Sequence, residues 1–250
     1  MILCPRKTHP YKVKAGDSFW LIAQQNQLNL QEIEAANPDI DMNNLYIGQI
    51  ICVPERYRSN QMYEQPKFIE ISPTEELLSN YMRLLWEQHV YWTRLVIISM
   101  VFDLPDVELV TNRLLRNPQD FEAALSSFYG ENNAARFAEL LTNHLIIAGE
   151  LIQAAKEKNN AAVIDARSRW YDNADEIAIF LNNINPYWTL TKWQGLLYDH
   201  LAMTEEEVQH FLSKNYEESI FVFENIEQEA LEMADTMTQG IVRQFPQYFR

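Results

Sequence analysis

"YKVKAGDSFWLIA", residues 11–23, predicts a short strand that turns sharply into a helix. Tyr11 and Val13 place apolar side chains at alternate positions, which is typical of a strand. The turn comes just before Asp17 and Ser18, and either side chain is placed to cap the helix that follows. The first quarter of the chain therefore begins as a strand followed by a helix.

A second stretch, "NPDIDMNNLYIGQIICVP" at residues 37–54, closes the same module. A short helix at about 30–36 is expected to stop at Asn37 and Pro38, because the residue before a proline disfavours the helical conformation. The apolar residues that follow predict a final strand ending at Pro54. The predicted order is strand, helix, helix, strand.

This pattern closely resembles the LysM domain, a small carbohydrate-binding module that recognises N-acetylglucosamine polymers such as peptidoglycan and chitin. The resemblance covers residues 11–54 and rests on Tyr11-x-Val13, Gly16-Asp17-Ser18, Ile22-Ala23, Asn37-Pro38-x-Ile40, Leu45, Gly48-Gln49 and Ile51-x-Val53-Pro54. It implies that sugar binds in a shallow groove between the loop after the first strand and the loop after the second helix. Carried over by position, the candidate binding residues are Gly16, Asp17, Ser18, Phe19, Asn37, Pro38, Asp39 and Ile40.

Several of these candidates also have a structural interpretation. Asp17 and Ser18 are first of all helix caps, so the resemblance implies that backbone groups around them make most of the sugar contact. Phe19 is either an apolar contact for the methyl group and ring face of the sugar or a core residue. The chain shows one such module, which usually binds weakly, so strong retention needs several copies or an oligomer.

The two cysteines of the chain, Cys4 and Cys52, both lie in this module. Two unrelated reduced thiols are the ordinary interpretation for a protein in which no export signal is recognised. The module also resembles a LysM subgroup common in spore-forming bacteria, in which a Cys-Pro pair just before the domain accompanies a last strand similar to "ICVP". That resemblance implies a disulfide, because antiparallel pairing of the two terminal strands would bring the cysteines close. The sequence leaves both interpretations open.

After a polar linker at residues 55–71, the chain is predicted to be helical almost to its end. Ser72-Pro73-Thr74-Glu75 combines a cap, a proline at the first helical position and a capping box. Helices are predicted at about 74–102, 105–116, 118–129, 131–157, 160–184, 189–201, 204–214 and 216–243, with break signals at Leu104-Pro105, Asn117-Pro118, Gly130, Asn159-Asn160 and Asn185-Pro186. The predicted fold class is mainly α: a βααβ module at 1–54, then an acidic all-α helical bundle at 72–250 with four long helices and shorter ones packed at its ends.

The first long helix is apolar almost all the way round and is expected to be central. Polar residues near the middle of the long helices have two interpretations. One is a metal site like those of ferritin-like bundles, with candidate ligands Glu87, His89, His144 and Glu227. The other is a buried network of hydrogen bonds and ion pairs, in which Arg94 pairs with one of these carboxylates. The Glu-x-x-His spacing of ferritin-like sites occurs only at Glu207–His210, on a short acidic helix expected to be solvated.

Composition and missing motifs restrict the function. The net charge of −15 argues against nucleic acid and anionic membranes as partners. The longest uncharged apolar run, Leu95–Phe102, is too short to span a bilayer, and the first residues lack the apolar core of a secretory signal. The helical part has no cysteine, no His-Glu-x-x-His and no Gly-x-Ser-x-Gly. We therefore expect a binding protein rather than an enzyme, with no cofactor. A glycan hydrolase with a lysozyme-like carboxylate pair is a further possibility, because the chain has 35 acidic residues.

The helical part loosely resembles an uncharacterised domain associated with LysM proteins of spore-forming bacteria, through "LLWEQHVYWTR", "WYDNADEIA" and "EALEMADTMTQGIVRQFP". The leading hypothesis is a non-catalytic protein that binds peptidoglycan or another N-acetylglucosamine polymer, with the bundle as scaffold or partner-binding surface. Its expected place is the spore envelope or cell wall, with spore-envelope proteins as further partners, after synthesis in the cytoplasm without an export signal. The alternative is a metal-binding, ferritin-like bundle targeted to the wall by the same module.

Overall fold

The computed structural model describes residues 4, 5, 7–14, 17–26, 28, 30–38, 40, 41, 45–54 and 72–249. The chain divides into two compact units, Met1–Phe68 and Ile69–Arg250. The predicted linker at 55–71 lies outside the described residues, so the domain limits at 54 and 72 stay predictions.

The first unit has the predicted order of two strands and two helices. Its elements are β1 (Thr8–Lys12), α1 (Phe19–Gln25), α2 (Leu30–Ala36) and β2 (Ile50–Pro54). The two strands pair in antiparallel fashion, with Tyr11 opposite Ile51 and Pro10 opposite Cys52. The βααβ fold expected for the module is therefore confirmed.

A small apolar core holds this unit together. Its most deeply buried members come from every element or from the loops beside it: Val13, Phe19, Ile22, Ile33, Ile51 and Val53. Gly48 adopts φ +90°, a left-handed conformation that glycine reaches without strain, and its N–H donates to the carbonyl of Val13 at 2.8 Å. That turn brings the start of β2 back onto the end of β1.

The second unit is helical, as predicted. Its helices are α3 (Pro73–Val101), α4 (Val107–Leu114), α5 (Asn117–Lys156), α6 (Asn160–Ile184), α7 (Leu190–Ser213) and α8 (Tyr216–Gln244), followed by a short 3-10 turn (Pro246–Tyr248). The hydroxyl of Ser72 accepts a hydrogen bond from the N–H of Glu75 at 3.2 Å, which confirms the predicted cap of α3. Gly130 interrupts α5 with φ 76° and ψ 164°, where a break was expected.

One detail of the predicted bundle is wrong. The helices predicted at 189–201 and 204–214 are one continuous helix, α7, so the described unit has five long helices rather than four. The first long helix, α3, packs against α4, α5, α7 and α8, as expected for a central helix, but one of its faces is exposed, with Leu77 69% and Leu84 49% accessible. The sequence of a helix indicates which of its faces are apolar enough to be buried. The number and position of the neighbouring helices decide which of those faces are covered.

The helices of the second unit form three consecutive hairpins. The first joins α3 to α4 and the part of α5 before Gly130, the second joins the rest of α5 to α6, and the third joins α7 to α8. One large apolar cluster runs through all three and includes the fully buried Met82, Phe137 and Trp193. Within the described residues, none of the helices has the length and the continuous apolar character needed to cross a membrane.

Candidate carbohydrate-binding site and a buried polar layer

Asp17 and Ser18 shape the loop between β1 and α1. The carboxylate of Asp17 accepts hydrogen bonds from the Tyr11 hydroxyl at 2.9 Å and from the N–H of Lys14 at 2.7 Å. The hydroxyl of Ser18 accepts from the N–H of Leu21 at 3.2 Å. Ser18 is therefore the cap of α1, and Asp17 ties the loop to the strand before it.

Phe19 lies in the core rather than on the surface. Its side chain is 2% exposed and packs in the same apolar cluster as Ile22 and Ile33. The first turn of α1 directs it inward, so its ring has no free face for a sugar. Of the two interpretations of Phe19, the structure therefore supports the core residue, and the apolar contact with sugar is not supported.

Asn37 is a structural link between α2 and β2. Its side-chain amide donates to the carbonyl of Cys52 at 2.7 Å and to that of Ile33 at 2.8 Å, and its Oδ1 accepts from the N–H of Cys52 at 2.7 Å. The residue is 6% exposed. All of these groups are occupied within the fold, so the side chain of Asn37 holds the start of the loop that follows it.

Two of the remaining candidates, Pro38 and Ile40, lie in the loop after α2. Pro38 is exposed, and Ile40 is half-buried against the cluster that contains Phe19, so the loop after α2 lies over the same core as the start of α1. Gly16 and Asp39 lie outside the described residues. The site residues themselves stay predictions, with the two loops brought over one core.

The two cysteines form a disulfide. Cys4 and Cys52 are bonded, with their Cα atoms 5.5 Å apart and a sequence separation of 48. Cys52 lies in the middle of β2, where it pairs with Pro10 of β1. The disulfide implied by the family resemblance is therefore confirmed, and it closes the module into a loop.

Three histidines are buried in the helical unit, one in each hairpin. His89 on α3, His144 on α5 and His200 on α7 are each no more than 3% exposed. Each places Nδ1 against an oxygen on the second arm of its own hairpin, and these distances are 3.1 Å to Asn117, 2.9 Å to Asn173 and 3.0 Å to Glu229. Because an amide oxygen only accepts, Nδ1 carries the proton in His89 and His144.

The spacing of these pairs reveals an internal repeat that our sequence analysis missed. Each partner follows its histidine by 28 or 29 residues. The amide of Asn117 also donates to the carbonyl of Leu85, and that of Asn173 to Leu140, which in both hairpins lies four residues before the histidine. The signal is visible in the sequence as "LLWEQHV" at 84–90, "ELLTNHL" at 139–145 and "GLLYDHL" at 195–201.

The environment of the buried histidines keeps two of them neutral. Burial, together with the other buried histidines, lowers the pKa of His89 and of His144 to about 3. The rings of His89 and His200 have centroids 5.7 Å apart. Burial also raises the pKa of Glu229, while its hydrogen bond with His200 opposes that shift. The three histidines and their partners thus form a buried polar layer of neutral or paired groups inside an apolar core.

A buried ion pair lies one to two turns from this layer. Arg94 on α3 pairs with Glu207 on α7, which is 1% exposed, and also donates to the carbonyl of Ser219 at 3.0 Å. Burial raises the pKa of Glu207 to about 7 against the opposing effect of Arg94. The expectation that Glu207 lies on a solvated helix is therefore wrong, because α7 is continuous and turns this position inward. An ion-pair network was predicted, but with Glu87 or Glu227 in place of Glu207.

The four predicted metal ligands are not brought together. His89 and His144 are bound by asparagines, and Glu227 accepts from the hydroxyl of Tyr91 at 2.8 Å on the partly exposed side of α8. Glu87 is likewise only half-buried. Among the residues that the structure describes, no three histidine, cysteine, aspartate or glutamate side chains are grouped so that they could hold a metal ion. The ferritin-like interpretation therefore lacks its ligand set.

Comparison with known proteins assigns the first unit. The LysM domain family matches residues 11–54. A protein named "Secreted LysM effector Blys4", from Beauveria bassiana (strain ARSEF 2860), is 36% identical over 52 residues, which are 21% of this chain and 30% of that protein. The chain thus spans less than a third of the length of this relative. No solved structure matches this chain significantly. Together with the βααβ fold and its register, these matches identify residues 11–54 as a LysM domain.

Proposed function

We propose that this chain is a non-catalytic protein that binds N-acetylglucosamine polymers, with peptidoglycan as the first candidate, through its LysM domain. The observation that carries the proposal is the family match over residues 11–54 on a βααβ fold. The relative is described by its name as a secreted LysM effector. That name supports a place outside the cell, and the cell wall or spore envelope is our proposal for this chain.

The proposed groove lies between the loop at 16–19 and the loop at 37–40. The side chains of Asp17, Ser18 and Asn37 are already engaged in the fold. Backbone N–H and C=O groups of these loops would therefore recognise the hydroxyls and the acetamido group, and exposed Pro38 would offer apolar surface to the sugar.

The helical unit is proposed to be a scaffold or partner-binding surface, with spore-envelope proteins as the candidate partners. Its three-hairpin core is filled by apolar side chains and by the buried pairs that the three histidines form with Asn117, Asn173 and Glu229. Such a core favours a rigid body over a catalytic pocket. The net charge of −15 repels anionic partners, so the partner-binding surface is proposed to be one for proteins that are not strongly acidic.

Binding is tested by sedimentation of the full chain with insoluble peptidoglycan and, in parallel, with chitin. Pro38→Glu places a charged side chain at the rim of the groove and should reduce retention at least tenfold. Ala35→Glu adds the same charge at an exposed position of α2 outside the two loops and should leave retention unchanged. Soluble N-acetylglucosamine oligomers should compete.

Equal retention of Pro38→Glu and Ala35→Glu would contradict the groove. Retention of a chain that lacks residues 1–54 would contradict the LysM domain as the anchor. Release of reducing ends from peptidoglycan during the incubation would contradict the non-catalytic role.

A further inference from the structure

Helix α3 exposes a single line of apolar side chains along its whole length. Leu77 is 69% exposed, and Tyr91, halfway along, is 44% exposed. Two positions of this line carry half-buried side chains, Gln88 and Ile98, instead of exposed apolar ones. Over the described length of α3 and its C-cap, none of the side chains in the line is charged. We call this surface the α3 line: Leu77, Tyr81, Leu84, Tyr91, Leu95 and Phe102.

The spacing of the α3 line is that of a helix–helix seam. With Gln88 and Ile98 included, its positions alternate in steps of four and three residues from Leu77 to Phe102. Apolar residues at this spacing form the stripe that pairs two helices in coiled coils and bundles. A continuous apolar stripe exposed on an acidic protein marks an interaction surface.

The two edges of the α3 line carry opposite charge. On the side of α8, Glu227 accepts from the hydroxyl of Tyr91 at 2.8 Å. Burial and the charge of Glu227 raise the pKa of the adjacent Glu87, so these two carboxylates repel each other. Arg83, which is paired with Asp235 at 2.6 Å, opposes this rise in the pKa of Glu87 only in part, so the edge stays acidic.

On the side of α4, the edge is basic. Arg113 donates through Nη2 to the side chain of Gln88 at 3.0 Å, and its guanidinium lies 4.9 Å from the ring centroid of Trp92. Its Nη1 is buried and has no hydrogen-bond partner among the described residues, so the positive charge of the guanidinium is incompletely compensated at this edge. Since Arg113 contacts Gln88 and Trp92 while Glu227 contacts Tyr91, the basic and acidic edges face each other across the line at the same height along α3.

This arrangement decides between the two ways in which a second copy could pair. When two α3 helices pack in parallel about a twofold axis along the helix, the acidic edge of each copy meets the basic edge of the other. When they pack in antiparallel fashion, each edge meets its own equivalent, and Glu87 faces Glu87 where the twofold axis crosses the helices at that height. At 0.1 M salt, charges more than about 10 Å apart are largely screened, so these local pairs outweigh the net charge of the two chains.

We propose that the α3 line is the interface of a parallel homodimer in which Arg113 of each copy lies opposite Glu87 and Glu227 of the other. The occupant is a second copy because the charge pattern of this surface is complementary to itself. The dimer does not rest on glycan binding, and either proposal can fail without the other.

The molar mass of the full chain tests the dimer. Sedimentation equilibrium with light scattering should give twice the chain mass of 29.4 kDa. Leu84→Glu should give a monomer with unchanged helical circular dichroism, because position 84 is already half-exposed. Ile164→Glu, at a position of α6 that is 71% exposed, is the matched control and should leave the dimer intact. A monomeric wild-type chain, or a dimer that Leu84→Glu leaves intact, would overturn the proposal.

A charge exchange tests the orientation. Arg113→Glu should raise the dimer dissociation constant about tenfold or more, because it places acid opposite acid. Adding Glu87→Arg to that variant should restore most of the affinity in the parallel dimer. In an antiparallel dimer the double variant would face Glu with Glu and Arg with Arg, so an unrestored double variant would overturn the parallel arrangement.

Discussion

The side-chain amide of Asn37 satisfies both backbone polar groups of Cys52, with its Nδ2 and its Oδ1 each 2.7 Å from the atom they bind. One side chain thereby joins the end of α2 to the middle of β2. The same strand residue carries the disulfide to Cys4. The loop proposed to bind sugar is thus hydrogen-bonded at its base to a strand residue that is itself covalently fixed to Cys4.

Asn37→Ala should destabilise the LysM domain by about 2–3 kcal/mol, because it leaves buried backbone groups of Cys52 without partners. Denaturant unfolding followed by circular dichroism measures the change. Pro38→Ala, at the exposed neighbouring position, should stay within about 0.5 kcal/mol of the wild type. An Asn37→Ala protein with the stability of the wild type would contradict the structural role of the amide, because water would then satisfy the backbone groups of Cys52 equally well.

Reduction of the disulfide should lower the stability of the LysM domain by about 2–4 kcal/mol. The bond closes a loop across 48 residues, and its loss restores that freedom to the unfolded chain. Thermal unfolding with and without dithiothreitol reports the effect. The Cys4→Ser/Cys52→Ser variant should unfold like the reduced protein and should not respond to reductant, whereas a response would point to an effect outside the disulfide.

The buried histidines should make the helical unit less stable in acid. The pKa of His144 is lowered to about 3, whereas in the unfolded chain it is about 6.5. The unfolded state therefore binds the proton first, and stability is lost as the pH falls below about 6.5 toward 3. Between pH 7 and pH 5 the wild type should lose about 2 kcal/mol relative to His144→Gln, whose amide can still donate to Asn173.

That difference between wild type and variant is the quantity to measure, because Glu207 acts in the opposite sense. Its pKa is raised to about 7, so the folded state holds a proton between pH 7 and about 4.5 that the unfolded state has lost. Glu207 thus adds stability as the pH falls through this range. Parallel pH dependences of wild type and His144→Gln would exclude His144 as the source of acid sensitivity.

Removing only one partner of the Arg94–Glu207 pair should lower the free energy of unfolding strongly. Arg94→Met leaves Glu207 buried without its partner and should cost about 3–5 kcal/mol at pH 8. The cost should shrink at pH 5, where Glu207 can take up a proton. Arg94→Met/Glu207→Met removes both charges and should recover most of the loss, as chemical denaturation of the single and double variants would show.

Dimerisation should strengthen retention on polymer without changing the affinity of one groove. Two LysM domains held together bind a polymer with a high effective concentration for the second contact. Leu84→Glu should therefore elute from insoluble peptidoglycan at least tenfold more readily than the wild type. Its affinity for a short soluble N-acetylglucosamine oligomer, measured by calorimetry, should be unchanged; a parallel loss of both would place the defect in the groove.

The sequence determined the local architecture because turn and cap signals act over a few residues. Asn37-Pro38 ended α2, Ser72 capped α3 and Gly130 broke α5, each where the residue type predicted it. The LysM domain was recognisable for the same reason, since its fold is short and rich in such signals. No signal marked a break near position 202, and there α7 runs straight on.

Only the tertiary structure decided which polar side chains meet. His144 finds Asn173 and not a metal ligand, and Arg94 finds Glu207 and not Glu227, because helix register across a hairpin depends on packing between residues that are far apart in the sequence. Phe19 turned inward because α1 had a core to cover. In the same way, sequence established that α3 is apolar almost all the way round. The number of helices around it decided that one apolar face remains for another molecule.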